Sequence, residues 1–452
     1  MPSSPTPART DCEITTLGPC SVESPLAPVF EAFEQGGPVG HVDPDDRVLL
    51  EDTEWAVAGR DPAAGPPPSF EPARARRQIY FDPAATTAAI VTCGGLCPGL
   101  NDVIRGLVQQ LRRQYGVERI LGIRHGYLGL TRAYRDDAVE LSGSMVQEIH
   151  QAGGTFLGTS RDRQDPSEMV DALEHLGIDV LFVIGGDGTM TGAREIVGEI
   201  ERRDRDIAVV GLPKTIDNDL PFIDQSFGFL TAVTRAADTV HAAHAEALSV
   251  RHGVSVVKLM GRHAGFVACY AAIAVNDVDL VLIPEVPFAW TGENGLLAAV
   301  RDCVDRRGRA LVVVAEGAGP EHRAEGEDIG PLVRDRVTAD LTAHGYSPVM
   351  RYLDPSYAIR SVRADTYDSV YCVLLAHAAV HAAMSGRTGA VVARWRGRYV
   401  LVPMTLMTEV PHRVDPAGEL WASVLEATRQ PTRLDEHGIR IDTHHGGWND
   451  RR

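Results

Sequence analysis

The chain of 452 residues is long enough for two or three compact units, and with 44% hydrophobic and 23% charged residues it has a globular make-up. Its formal charge of -17 argues against generic nucleic-acid binding, which needs a basic surface, though not against a local basic pocket. No apolar run approaches the ~20 residues of a membrane-spanning helix and the N-terminus has no signal-like apolar core, so a cytoplasmic protein is expected.

Residues 1–77 hold 13 of the 28 prolines, including Pro66, Pro67 and Pro68, and show no sustained periodicity. They read as an arm ordered at most in part. From Thr87 onward short apolar, β-branched runs alternate with glycine-rich turns and helical periodicity, the signature of parallel sheets covered by helices. The first unit is the strand TAAIVTC, the turn GGLCPG, and a helix with Val103, Ile104, Leu107, Val108 and Leu111 on one face. Next come DVLFVI, the turn GGDGT, and a helix buried through Ala193, Ile196, Val197 and Ile200. IAVVG then leads into LPKTIDNDLP. Later strands are VSVVKL before MGRHAG, VDLVLI before PEVPF, and ALVVVA before EGAG. Residues 364–385 read as one long helix that Gly386 is placed to stop.

The seven cysteines are odd in number and scattered, which fits reduced thiols; Cys93 and Cys97 read as small buried loop residues rather than a metal site. The chain has only two lysines, Lys214 and Lys258, among 44 basic residues, so wherever lysine persists arginine is a doubtful substitute.

Polar and glycine-rich residues thus gather at the carboxyl ends of strands, the edge where open α/β sheets bind ligands. GGLCPG between strand and helix offers unhindered N–H groups for phosphate oxygens. The absence of GxxxxGK[ST] excludes an ordinary P-loop. In GGDGT the glycines admit a bulky anion, and Asp187 among them would repel it unless a cation lay between, which points to Mg²⁺. An Asp-Gly turn is the plainer alternative. PKTIDND packs acid, base and hydroxyl into seven residues. Asp217 is the preferred base for an attacking alcohol, whereas Asn218 fits a cap or Asx-turn. Arg262 in MGRHAG and Arg360 in DPSYAIR suit phosphate as members of a group.

The ordered motifs CGGLCPGLNDVIRG, GGTFLGTSR, IGGDGT, PKTIDND, MGRHAG, IPEVPF, AEGAG and DPSYAIR resemble those of the 6-phosphofructokinases, most nearly the long ATP-using branch of plants and kinetoplastids. The resemblance runs from about Ile79 to about Pro431. It implies two Rossmann-like three-layer α/β domains with parallel-rich sheets, the active site in the cleft between them, and an N-terminal arm. Residues 78–228 with 359–410 would bind nucleotide, and 229–358 with 411–452 the sugar phosphate. By position, Gly95, Gly186, Gly188 and Thr189 would hold the nucleotide phosphates and Asp187 would place Mg²⁺. Asp217 would be the base for the sugar 1-hydroxyl, with Thr215 beside it and Asp219 in support. Lys214 would add charge near the phosphates, and Arg161 and Arg262 would steady the transferring group. Met260, Gly261 and Glu285 would hold the sugar. Arg360, Tyr357 and Arg351 would grip its 6-phosphate, Arg351 from a neighbouring subunit of a dimeric or tetrameric, allosteric assembly.

The implied reaction takes ATP and fructose 6-phosphate to ADP and fructose 1,6-bisphosphate. The pattern is mixed, because pyrophosphate-using relatives carry Asp at the position of Gly188 but Lys at that of Lys214. Steric room at Gly188 favours ATP; pyrophosphate, or another sugar phosphate, is the alternative. A non-catalytic nucleotide-binding regulator is the reading from another class, and it predicts erosion of Asp187, Asp217 and Arg262, all of which are present.

Overall fold

Strands buried on both faces need apolar residues throughout, and the fold follows that demand. The computed structural model describes residues 9–34, 46–61, 65–322, 324, 326–408, 412–435 and 438. The remainder of the expected N-terminal arm and C-terminal segment lies outside the described residues. The chain divides into two units by its internal contacts. The first takes residues up to Ile216, Leu220–Thr231 and Arg360–Pro411; the second takes Asp217–Asp219, Ala232–Ile359 and His412 onward.

The first unit is built on a nine-stranded sheet. Its strand order is Val48–Leu49, Ser69–Pro72, Arg398–Pro403, Ala390–Trp395, Ala208–Pro213, Val180–Gly185, Thr87–Thr92, Arg119–Ile123 and Val139–Glu140. The five strands from Ala390–Trp395 to Arg119–Ile123 are parallel, and the outer pairings are antiparallel. Every residue of Thr87–Thr92, Val180–Gly185 and Ala208–Pro213 is buried. On one face Ala89, Val91, Leu181, Val183 and Val209 share a core with Met169, Ala193 and Ile196 of the helices Pro166–Leu176 and Asp187–Arg202. The helices Leu100–Gln110 and Thr366–Met384 pack against one another so closely that a Cβ on Gly106 would lie 2.9 Å from that of Ala376.

The described parts of residues 1–77 do not stand apart as an arm. Ser69–Pro72 pairs with Arg398–Pro403, and Phe70 is wholly buried with edge-on contacts to Phe222 and Trp395. Glu71 meets Arg76 and Arg387 in a nearly buried ion cluster. Proline obscured this pattern, yet proline is tolerated on strands at a sheet edge.

The second unit holds a four-stranded, wholly parallel sheet in the order Leu280–Leu282, Arg309–Ala315, Gly253–Leu259, Val349–Leu353. Val254, Val256, Val312 and Val314 form one core with Leu296, Val300, Ile329 and Val337 from the helices Leu296–Arg307 and Ile329–Ala343. All seven cysteines are free thiols, and six are buried.

Candidate active site

Ala208–Pro213, Val180–Gly185 and Thr87–Thr92 are neighbours running in one direction. The turns that follow them, PKTIDND, GGDGT and GGLCPG, therefore emerge side by side from one edge of the first unit's sheet. The Lys214 N–H donates to Gly185 O at 2.8 Å, and the Cys93 N–H to Ile184 O at 2.9 Å, tying the three turns together. Asp187 opens a 16-residue helix whose first N–H groups receive no side-chain cap. That end carries the positive pole of the helix dipole and free donors, which is how a helix binds a phosphate. Asp187 and Gly188 are exposed there and Thr189 is buried. A Cβ on Gly188 would meet nothing within 4 Å, so the space before the helix is open.

Lys214 reaches under this surface. Its Nζ would lie 3.5 Å from a Cβ on Gly94, a residue held in the left-handed region at φ 83°, and Thr189 Oγ1 would lie 3.8 Å from the same point. Burial lowers the Lys214 ammonium from its ordinary pKa; Cys97 and Cys93 oppose that, and the lesser effects of the positive charges of Arg161 and Arg360 add to it. A bound phosphate would relieve both penalties. Arg161 is exposed, with Nη2 3.4 Å from where a Gly95 Cβ would stand. Its loop is held by Thr92 Oγ1, which donates to Gly158 O at 2.7 Å, and by Thr159 Oγ1, which donates to Gly94 O at 2.7 Å. Thr215 follows Lys214, and its carbonyl accepts from the Ser226 hydroxyl.

Within the second unit, MGRHAG, AEGAG, PEVPF and DPSYAIR leave the carboxyl ends of four parallel strands in the same way. Gly261 sits at φ 127°, and a Cβ there would strike Ala264 O at 2.5 Å, so only glycine fits. Met260 is fully buried, while Arg262 projects outward. Glu285 accepts the N–H groups of Gly265 at 3.0 Å and Val414 at 2.9 Å. Burial raises its carboxyl pKa, and those same N–H bonds limit the rise. Tyr357 is 85% exposed on the turn Ser356–Arg360.

Asp217 and Asp219 are partly buried, on either side of Asn218, which takes the left-handed conformation at φ 56° that suits asparagine in a tight turn. The backbone N–H of His412 donates to Asp219 O at 2.8 Å, its Nδ1 lies 3.2 Å from Asn218 O, and its ring lies against Phe266. His412 thus pins the acidic turn. Burial lowers its pKa.

Gly95, Arg161, Gly186, Asp187, Gly188, Thr189, Lys214 and Thr215 therefore gather at one sheet edge of the first unit. Met260, Gly261, Arg262, Glu285 and Tyr357 lie on the strand-end loops of the second. Arg351 does not sit on such a loop: it lies inside the strand Val349–Leu353, opposite Ser255, with Nε 3.5 Å from Glu246 Oε2. Sequence reasoning missed His412, and also Tyr127, whose buried hydroxyl donates to Thr189 O at 2.7 Å behind the helix terminus. It singled out Lys258 only by rarity. That ammonium lies 2.6 Å from Asp328 and 2.7 Å from Asp354. Burial alone would lower its pKa, but the two carboxylates outweigh burial and hold it above the ordinary lysine value.

Among the described residues no three His, Cys, Asp or Glu side chains converge as metal ligands. One exposed carboxylate beside an open anion cradle is nevertheless the protein share of many Mg²⁺ sites, the other ligands being phosphate oxygens and water. The residues present fit that ion. Among the described residues no helix is long and apolar enough to cross a membrane.

Anion cradles at the ends of parallel strands, with a carboxylate and exposed arginines beside them, define a phosphate-handling α/β enzyme. The phosphofructokinase family profile matches residues 87–383. An ATP-dependent 6-phosphofructokinase of Amycolatopsis methanolica is 56% identical over 94% of this chain and 96% of its own length. A namesake from Trypanosoma brucei brucei is 44% identical over 82% of this chain and 78% of its own. The fold is shared with a pyrophosphate-dependent phosphofructokinase from Nitrosospira multiformis, with a TM-score of 0.65 at 23% identity, covering 74% of this chain and 86% of that one. The chain belongs to the phosphofructokinase family.

Proposed function

We propose that the chain is an ATP-dependent 6-phosphofructokinase, transferring the terminal phosphoryl group of ATP to the 1-hydroxyl of fructose 6-phosphate to give fructose 1,6-bisphosphate and ADP. The observation that carries the reading is 56% identity over nearly the whole chain to an enzyme of that name. The uncapped helix end at Asp187, with open space at Gly188, supports a nucleotide donor. In this reading the first unit binds nucleotide, and the second the sugar phosphate. The backbone of Gly95, Gly186, Gly188 and Thr189 cradles phosphate oxygens, and Lys214 and Arg161 offset their charge. Asp187 would hold Mg²⁺, which when bound supplies charge neutralisation across the phosphates. Asp217 accepts the proton of the attacking hydroxyl, with Thr215 and Asp219 orienting the turn. Arg262 stabilises charge on the group in transit. Met260, Gly261 and Glu285 shape the sugar site, while Arg360 and Tyr357, with Arg351 from a neighbouring subunit, bind the 6-phosphate. The enzyme acts in the cytoplasm as a homo-oligomer, a dimer or tetramer.

Lys214 beside the glycine turn favours pyrophosphate as a second reading of the donor. Initial rates with each donor, for the wild type and for Asp217→Asn, test both. ATP is expected to be the better donor, and the variant to lose kcat by roughly 10²–10⁴-fold with the sugar KM little changed. A faster rate with pyrophosphate overturns the donor assignment. Full turnover by Asp217→Asn removes the base.

A further inference from the structure

Lys258 is one of two lysines in a chain whose other basic residues are all arginine, and the proposed chemistry uses only the other. It sits on the strand Gly253–Leu259, two residues before Met260, with its side chain 10% exposed. Its ammonium bridges two carboxylates on two different elements. Asp328 Oδ2 is 2.6 Å away, while Asp328 Oδ1 accepts the Gly330 N–H at 3.0 Å and so caps the helix Ile329–Ala343. Asp354 Oδ2 is 2.7 Å away, while Asp354 Oδ1 accepts from the Ser356 N–H at 3.1 Å and the Ser356 hydroxyl at 2.5 Å. The second set of bonds opens the turn Ser356–Arg360, which carries Tyr357 and Arg360. A compact ammonium can serve two carboxylates through one nitrogen; a planar guanidinium would present separate nitrogens at a greater reach. Removing the charge would leave Asp328 and Asp354 as close like charges around a partly buried gap.

Resting on the proposed function, we infer that Lys258 is a positioning residue for the sugar-phosphate site: through Asp354 it fixes the turn 354–360 relative to the strand that ends at Met260, Gly261 and Arg262. It touches no substrate. Tyr357 is largely in solvent, while Asp354 is anchored on Lys258 and bonded to Ser356 at the start of the turn, so Asp354 sets where the turn's grip on an anion begins. Loss of the anchor would cost binding of the sugar phosphate while sparing the donor side.

Lys258→Met, Asp354→Asn and the double variant test this, read by steady-state kinetics and by amide hydrogen exchange. Each single variant is expected to raise the KM for fructose 6-phosphate about tenfold, the double variant no more than the worse single one, as for two members of one interaction. The ATP KM and kcat should stay within about twofold, since uniform substrate binding alone is lost. Amides of 354–360 should exchange about tenfold faster while those of 87–92 are unchanged, a local opening rather than a global one. Asp328→Ala should lower Tm through loss of its helix cap more than it disturbs the sugar KM. An unchanged sugar KM with unchanged exchange in 354–360, an equal loss in both substrates, or additive single effects would overturn the inference. Should Lys258→Met not fold, Asp354→Asn decides by the same two readouts. A wild type inert toward fructose 6-phosphate would remove the functional reading instead, and exchange in 354–360 would still decide whether Lys258 holds the turn.

Discussion

At Gly188 the proposed choice of donor rests on a single missing side chain. The residue is exposed in the first turn of its helix, and a Cβ there meets no atom within 4 Å. The protein's own packing therefore does not require glycine here. Gly188→Asp would place a second carboxylate beside Asp187 at the positive end of a helix dipole, which the fold tolerates or welcomes. The same carboxylate would fill and charge the room that a nucleotide's inner phosphates need. The variant is expected to keep its Tm and to lose kcat/KM for ATP by on the order of 10²-fold, the scale of a misplaced reactant. A Tm scan beside initial rates checks it, and an ATP rate within a few-fold of wild type would show that the space is not the donor's. Asp187, Lys214 and Asp217 stood out at this scale because charged residues crowded into turns at strand ends have few structural reasons to be there. Lys258, Tyr127 and His412 did not. Their partners lie far along the chain, Asp328 70 positions from Lys258 and Thr189 62 from Tyr127, and no local pattern encodes such contacts.

Central strands declared themselves as elements because burial on both faces leaves no polar positions in them: every residue of Val180–Gly185 and of Ala208–Pro213 is apolar and buried. Strands at the antiparallel edge were illegible. Val48–Leu49 and Ser69–Pro72 are too short for a period, lie among prolines, and are held by pairing and by the burial of Phe70. The helix Thr366–Met384 was read correctly between its cap at Asp365 and the left-handed Gly386. Its histidines carry a consequence that composition does not show. His381 is deeply buried with Nδ1 2.7 Å from the Tyr115 hydroxyl, and burial, followed by the charge of His377, lowers its pKa from 6.5 to about 3. The neutral ring shares a hydrogen bond with that hydroxyl, its role set by which ring nitrogen carries the proton. Below pH 6.5 the unfolded chain takes up a proton that the folded one refuses. Stability from this group is therefore complete above about pH 6.5 and is lost as the pH falls toward 3, by up to about 1.4 kcal/mol per pH unit. His381→Gln keeps an acceptor that does not titrate. Urea midpoints from pH 7 to pH 4 should fall less steeply for the variant, and parallel slopes would refute the assignment.

Across the whole molecule, a net charge of -17 opposes the approach of anionic substrates, so binding depends on where the 44 basic side chains are put. Arg161 and Arg360 stand close enough to Lys214 in the first unit to lower the pKa of its ammonium. Arg351 stands elsewhere, on an edge strand of the second unit's sheet, exposed and 3.5 Å from Glu246 of its own chain. In the proposed function this arginine reaches into the sugar-phosphate site of a neighbouring copy. Mixing two crippled subunits tests that arrangement. Asp217→Asn removes the base and Arg351→Ala the distant grip, so each variant alone is expected to be nearly inactive at low fructose 6-phosphate. If Arg351 acts across the interface, a site is whole when an Asp217-bearing subunit adjoins one that retains Arg351. Random equal mixing makes about a quarter of all sites whole, because half the subunits keep Asp217 and half of their neighbours keep Arg351. Rates after co-refolding or co-expression should then rise to about a quarter of wild type, well above the mean of the two parents. If instead Arg351 serves its own subunit, every site in the mixture carries one lesion and the rate cannot exceed that mean.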